Sequence, residues 1–304
     1  MNDMNNPSDH HHHGLSADLE LMIRQAAGRR QVLRWLSAGA VASAGPMALV
    51  ACGGGGGDAG TTSTTLSSSS STSTSSTSST SSSSTSGSCS VIPSETAGPY
   101  PGDGSNSNSS GVVNVLTLSG IVRSDIRSSV GGLSGTATGV PMTVTLKLVN
   151  TASSCASLAG YAIYLWHCTL DGNYSLYSSS ILNQNYLRGV QVSDSNGEVT
   201  FTTIFPGCYS GRWPHIHFEV YPSLAVATSG SNDVKTSQLA MPAAACSQVY
   251  GVASGYSASV ANFAAASLAT DNVFSDDSAA NQLATVTGDA TNGFAATLTV
   301  GISA

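Results

Sequence analysis

Along residues 89–304, β-branched and aromatic side chains recur in short runs separated by Gly, Ser or Asn, the pattern that strands and turns leave in a sequence. Runs at 112–122, 140–149, 161–166 and 214–221 predict four strands. Residues 191–205 hold Asp194-Ser-Asn-Gly197 between two alternating segments and predict a hairpin; 282–287 and 294–302 predict another across Asn292-Gly293. A helical period survives only at 243–250 and 258–268. Many short strands, Gly-rich turns and few short helices predict an all-β fold, a single β-sandwich over 89–304.

The first 88 residues have a different character. Residues 61–86 are Ser or Thr throughout except Leu66. Such a stretch buries no apolar side chains to offset the entropy of ordering, so 52–88 is expected to be a disordered Gly/Ser/Thr linker. Before it, Arg29-Arg30 lead into a weakly apolar stretch that ends at Leu49-Val-Ala-Cys52. Residues 1–51 therefore predict a signal peptide of twin-arginine and lipobox type, with Cys52 as the lipidated first residue of the mature chain. Residues 36–51 are too few and too rich in Gly and Ala to predict a membrane span. The expected product is an exported lipoprotein, periplasmic or on the cell surface, that touches a membrane only through its N-terminal lipid. His10 to His13 would be removed with the signal and are not site candidates.

Charge narrows the partners. Only 9% of residues are charged and the formal net charge is −7, which leaves no basic footprint for nucleic acid or an anionic surface. Five cysteines follow the anchor, at 89, 155, 168, 208 and 246, enough for at most two internal disulfides whose pairing stays open.

The candidate chemistry gathers around the predicted strand 214–221. His215-Ile-His217 places two imidazoles on one strand face, about 7 Å apart at the backbone, close enough to share a metal. Glu219 lies on the same face, His167 is the one other histidine after the signal, and no cysteine pair has zinc spacing. Two tyrosines stand near: Tyr174, eight residues after Trp166, and Tyr209 in the turn Phe205-Pro-Gly-Cys-Tyr209. Arg212 precedes His215 by three residues. Upstream lies Glu95-Thr-Ala-Gly-Pro-Tyr100, and downstream Thr236-Ser-Gln238-Leu.

In these motifs, spaced in order from Pro93 to Gln238, the sequence resembles the intradiol ring-cleaving dioxygenases, above all the catalytic domain of the protocatechuate 3,4-dioxygenase type. The resemblance implies Fe(III) as cofactor, with Tyr174, Tyr209, His215 and His217 as its ligands. Phenolates are hard anionic donors suited to Fe(III), and a cation removes a phenol's proton well below its free pKa near 10. It implies that Tyr209 leaves the metal as a catechol chelates it and takes a substrate proton. Arg212 would stabilise negative charge on the ring carbon that O₂ attacks, supported by Gln238, while Gly98, Pro99 and Tyr100 would border the substrate. The implied reaction opens a small aromatic diol between its two hydroxyl-bearing carbons, and both atoms of O₂ enter a muconate-type diacid. The interval between Tyr209 and His215 is shorter than in the catechol and protocatechuate enzymes, so their substrate assignments do not transfer. Cys168 and Cys208 resemble positions in an extracellular branch of the family.

Two other readings compete. A surface-anchored binding sandwich with a degenerate metal site accounts for the tethered layout, but gives no reason to keep two Tyr, two His and Arg212 together. A cupin-like site built on His215, His217 and Glu219 fails on spacing. As a purely structural residue, Arg212 would pair with Glu219 or with solvent, and Trp166 is expected to be core more than substrate wall.

Overall fold

The computed structural model describes residues 89–304. The expected signal peptide, Cys52 and the linker lie outside those residues.

Strands β1 (Asp103–Asn108) and β2 (Gly111–Asn114) form a two-stranded ribbon. Strands β3 (Pro141–Asn150), β4 (Ala156–Ser157), β7 (Glu198–Ile204), β10 (Thr285–Asp289) and β11 (Gly293–Ile302) form a five-stranded sheet. In it β10 pairs with β11 and β11 runs parallel to β3, from Phe294 opposite Met142 to Ile302 opposite Asn150. The other side of β3 takes β7 along Pro141–Lys147 and β4 at Val149 and Asn150. Strands β5 (Ala162–Trp166), β6 (Arg188–Val192), β8 (His215–Tyr221) and β9 (Lys235–Ala240) form an antiparallel four-stranded sheet in the order β6-β5-β8-β9.

Alternation explains the layering. On β3, Met142, Val144, Leu146 and Leu148 are buried while Thr143, Thr145 and Lys147 are only half-buried. These buried side chains join Ile163, Leu165, Ile216, Phe218 and Val220 of the other sheet in one core. The expected all-β sandwich is therefore the observed one. The four-stranded sheet differs in that both its faces are covered, so β5 and β8 are buried at every position. Its second face carries Ala162, Tyr164, Trp166 and Tyr221, packed under Val115, Leu116, Ile121 and Tyr174. That covered face holds the candidate site.

The expected helices appear as α1 (Ala243–Val252) and α2 (Ser257–Ala265). The second ends earlier than 268, because Ser267 begins a turn whose carbonyl accepts Thr270 N–H and Asp271 N–H. The expected strand 112–122 stops at Asn114, whose side-chain oxygen accepts Leu116 N–H and turns Val115 and Leu116 inward. The hairpin expected over 191–205 is corrected: β6 and β7 belong to different sheets. The Asp194–Gly197 turn exists, with Gly197 at φ +77°, but it carries the chain from one sheet to the other. Gly197 is required there, since a Cβ would lie 2.4 Å from the Leu148 carbonyl oxygen. Strand β1 is polar throughout its sequence, Asp-Gly-Ser-Asn-Ser-Asn, and has no hydrophobic period to announce it.

Of the five cysteines after Cys52, Cys89 and Cys155 form a disulfide, and Cys168, Cys208 and Cys246 are buried free thiols. The bridge closes a sequence separation of 66, for which loop-closure entropy gives about 4 kcal/mol. The closed loop contains the Gly98-Pro99-Tyr100 segment.

Candidate metal centre

Three local structures bring the donors together. The first residues of β8 carry His215 and His217 on the covered sheet face, opposite Ala240 and Gln238 of β9. Tyr174 sits between β5 and β6, after a tight turn in which Thr169 N–H donates to Asn173 O and Gly172 N–H to Thr169 O. Gly172, at φ +84°, lets Tyr209 pack against this turn; a Cβ there would come within 3.0 Å of Tyr209 Cβ. Tyr209 itself lies on the β7–β8 connection, held from the helices: Ser259 Oγ accepts Cys208 N–H, Asn262 donates to Cys208 O, and Tyr250 Oη donates to Pro206 O.

All four side chains are buried, Tyr174 at 1%, His215 and His217 at 2%, and Tyr209 at 9% exposure. Tyr174 meets the rings of Tyr209 and His217 edge-on at centroid distances of 5.9 and 6.2 Å. Trp166 is fully buried and stacks on His217 at 4.9 Å and 8°. It is a core residue, as expected, and it backs a site residue directly.

The hydrogen bonds crowd one acceptor and leave other polar atoms of the cluster, Tyr174 Oη and His217 Nδ1, without a partner. His215 Nδ1 lies 2.5 Å from the Trp213 carbonyl, which can only accept, so Nδ1 carries the proton and Nε2 a lone pair. Toward that single lone pair come His217 Nε2 at 3.1 Å, Tyr209 Oη at 3.1 Å and Arg212 Nη1 at 3.4 Å. One lone pair cannot serve three claimants. Tyr174 Oη, also buried, makes no hydrogen bond. Burial lowers the pKa of both histidines well below the ordinary value and raises that of both tyrosines, Tyr209 to about 12. Without a cation, four neutral donors face one another; a cation would accept from two imidazole nitrogens and two oxygens. Because the phenols must lose protons to bind it, affinity should rise with pH. The residues therefore fit a hard cation such as Fe(III). Among the described residues no group of three or more His, Cys, Asp or Glu is placed to hold a metal ion.

Arg212 is fully buried, and neither of its structural alternatives holds. Its partner is Asp271: Nε donates to Oδ2 at 2.9 Å, with both side chains at most 1% exposed. Although burial opposes its charge, Tyr209 and Asp271 hold the guanidinium above its ordinary pKa. Arg212 Nη2 donates to Gln238 Oε1 at 2.7 Å, and Gln238 Nε2 donates to Thr96 O. Gln238 thus ties the Arg to the segment holding Gly98, Pro99 and Tyr100. The Tyr100 ring lies 5.1 Å from that of Tyr174, and Pro99 O accepts from Asn106. Tyr174, Tyr209, Arg212, His215, His217, Gln238 and the Tyr100 ring are thus brought together, while Gly98 and Pro99 share the Tyr100 segment and contact Thr96 and Asn106.

Glu219 is engaged elsewhere. It accepts from Tyr221 Oη at 2.5 Å, and burial together with Asp103 raises its carboxyl pKa well above the usual range. His167 is a satisfied core residue, with Nδ1 to Cys168 O and Nε2 to Thr203 Oγ1, both at 2.7 Å.

Sequence reasoning missed Asp271 and Arg188. Arg188, 1% exposed, donates to Tyr100 O, Pro101 O, Ser175 O and Ser175 Oγ, and so joins the Tyr100 and Tyr174 segments. No sequence pattern marks either residue.

The layered sandwich has the fold seen in intradiol ring-cleavage dioxygenases. A family model described as Dioxygenase matches residues 125–227, a span that includes Tyr174, Tyr209, Arg212, His215 and His217. A chlorocatechol 1,2-dioxygenase from Rhodococcus opacus is 39% identical over 57 residues, 19% of this chain and 22% of that protein's length. An intradiol ring-cleavage dioxygenase from Tetranychus urticae has a similar structure, with a TM-score of 0.53 and 23% identity, covering 70% of this chain and 95% of that one. A second dioxygenase crystal structure matches with the same TM-score and 24% identity, over 70% and 94% of the two chains.

Proposed function

We propose that residues 89–304 form a ferric intradiol dioxygenase that cleaves a small aromatic diol with O₂. The observation that carries this reading is the gathering of Tyr209 Oη and His217 Nε2 on His215 Nε2 in a buried cluster where Tyr174 meets Tyr209 and His217 edge-on and its hydroxyl lacks a hydrogen-bond partner. A ferric ion held by these four residues would supply Lewis-acid and redox chemistry to a chelated catechol.

The chain's own groups would do the rest. Tyr209 is the more exposed of the two tyrosines and hangs from a turn, so it is the phenol free to swing away and take a substrate proton at Oη. Tyr174, packed under Tyr100 and against His217, would stay. Arg212 has Nε and Nη2 occupied, which leaves Nη1 turned toward the cluster to stabilise charge on the ring.

Freshly made protein should carry about one iron per chain, show a broad visible tyrosinate-to-iron band, and take up O₂ with catechol, hydroxyquinol or protocatechuate. Zinc at full occupancy with no visible band would refute the ferric site. A catechol-induced spectral shift with no O₂ uptake from any of the three would instead support the ligand-binding sandwich.

The same proposal includes export as a lipoprotein through Arg29-Arg30 and Cys52; the Cys89–Cys155 disulfide supports an oxidising destination. Wild type should partition with membranes and Cys52→Ala should not. Unchanged partition of the variant would assign the anchoring to another feature.

A further inference from the structure

We infer that Asp271 is the positioning residue that aims Arg212 at the metal centre, an assignment that rests on the proposed dioxygenase reading. Asp271 comes from the chain beyond α2, outside the 125–227 span shared with the family model.

Its carboxylate is saturated by four donors. Oδ1 accepts Val273 N–H at 2.8 Å and Phe274 N–H at 3.1 Å, which fixes the carboxylate in its own turn. Oδ2 accepts Arg212 Nε–H at 2.9 Å and Trp213 N–H at 2.7 Å. One oxygen therefore holds both the guanidinium and the backbone entering β8. The next carbonyl along that backbone, Trp213 O, accepts from His215 Nδ1 and sets which His215 nitrogen faces the cluster.

The geometry of the guanidinium makes the consequence directional. Its donors form a rigid plane, so fixing Nε on Asp271 and Nη2 on Gln238 determines where Nη1 points. Nη1 lies 3.4 Å from His215 Nε2, the atom on which the other donors converge. The Phe274 ring, 5.8 Å from the guanidinium carbon, belongs to the same turn as Asp271. A neutral amide cannot replace the carboxylate. With its oxygen toward Val273 and Phe274, its NH₂ would confront two N–H donors, those of Arg212 and Trp213; reversed, it would confront the other two.

The test is Asp271→Asn, compared with wild type and measured again in an Arg212→Lys background. The variant should retain iron and the catechol-induced spectral shift, with KM changed less than about threefold and kcat reduced at least about tenfold. In the Arg212→Lys background the same substitution should cost less than about twofold, because the group it positions is already gone. Crystal structures of the two proteins should show Nη1 displaced from the 3.4 Å position only in the variant. A kcat within twofold of wild type, an undisplaced guanidinium, or an equal loss in both backgrounds would overturn the assignment. If Asp271→Asn does not fold, Asp271→Glu carries the same comparison with the charge kept and moved by one methylene. If wild type holds no iron or takes up no O₂, the dioxygenase reading fails, and the displacement of Arg212 still decides the positioning role.

Discussion

Tyr174→Phe should bind iron at least about a hundredfold more weakly than wild type and lose most of the visible band, yet its metal-free form should be no less stable. The two effects have one origin. The Tyr174 hydroxyl is buried with no hydrogen-bond partner among the described residues. Leaving such a group unsatisfied costs about 1–3 kcal/mol, and phenylalanine removes it with little change of shape. In the proposed ferric site the same oxygen would be one of two anionic donors, and losing a direct ligand should exceed the 10- to 100-fold typical of outer partners. Iron retained after dialysis against a chelator, the visible spectrum, and thermal unfolding of the metal-free proteins together make the measurement. A structural tyrosine would show the opposite pattern, with lower stability and unchanged iron. Tyr209→Phe makes a useful contrast, because Tyr209 already has a hydrogen bond to His215 to lose.

How much of this site could be read in advance depended on how local each signal was. His215 and His217 are two apart in a strand, and strand alternation alone puts both on one face, where the structure has them. Strands β3, β5 and β8 and the β10–β11 hairpin were legible for the same reason, since a buried face leaves a run or a period in the sequence. Gln238 was visible only through the resemblance, and its place opposite His217 follows from the β8–β9 register. The 191–205 hairpin was misread because an Asp-Ser-Asn-Gly turn looks alike whether the next strand joins the same sheet or crosses the sandwich. Asp271 was invisible for a different reason. It lies 59 residues from Arg212, in a polar turn whose composition says only that the chain bends. Long-range polar pairs leave no period, and a buried ion pair can be found only when the fold has brought its two halves together.

Arg212 is the residue for which fold and chemistry make separate demands, and Arg212→Lys separates them. Lysine keeps one positive charge in a fully buried position beside Asp271, so the ion pair can persist and the fold should hold. It cannot keep the fork, because a single ammonium has no planar second arm to bond Gln238 while presenting a third donor to the cluster. The proposed ligand set includes no Arg212 atom, so the ferric colour and the spectral shift on adding catechol should survive. Stabilisation of negative charge delocalised on the ring should weaken, and turnover should fall at least about tenfold, or about 1.4 kcal/mol of transition-state stabilisation. Oxygen uptake with catechol, hydroxyquinol and protocatechuate gives the rate, and the visible spectrum reports the centre in the same sample. A variant that matches wild type in rate would remove Arg212 from the chemistry and leave it as a structural partner of Asp271. A variant that loses the colour as well would place Arg212 in support of the ligand set itself, through its approach to His215 Nε2, and would shift the argument from transition-state charge to the integrity of the site.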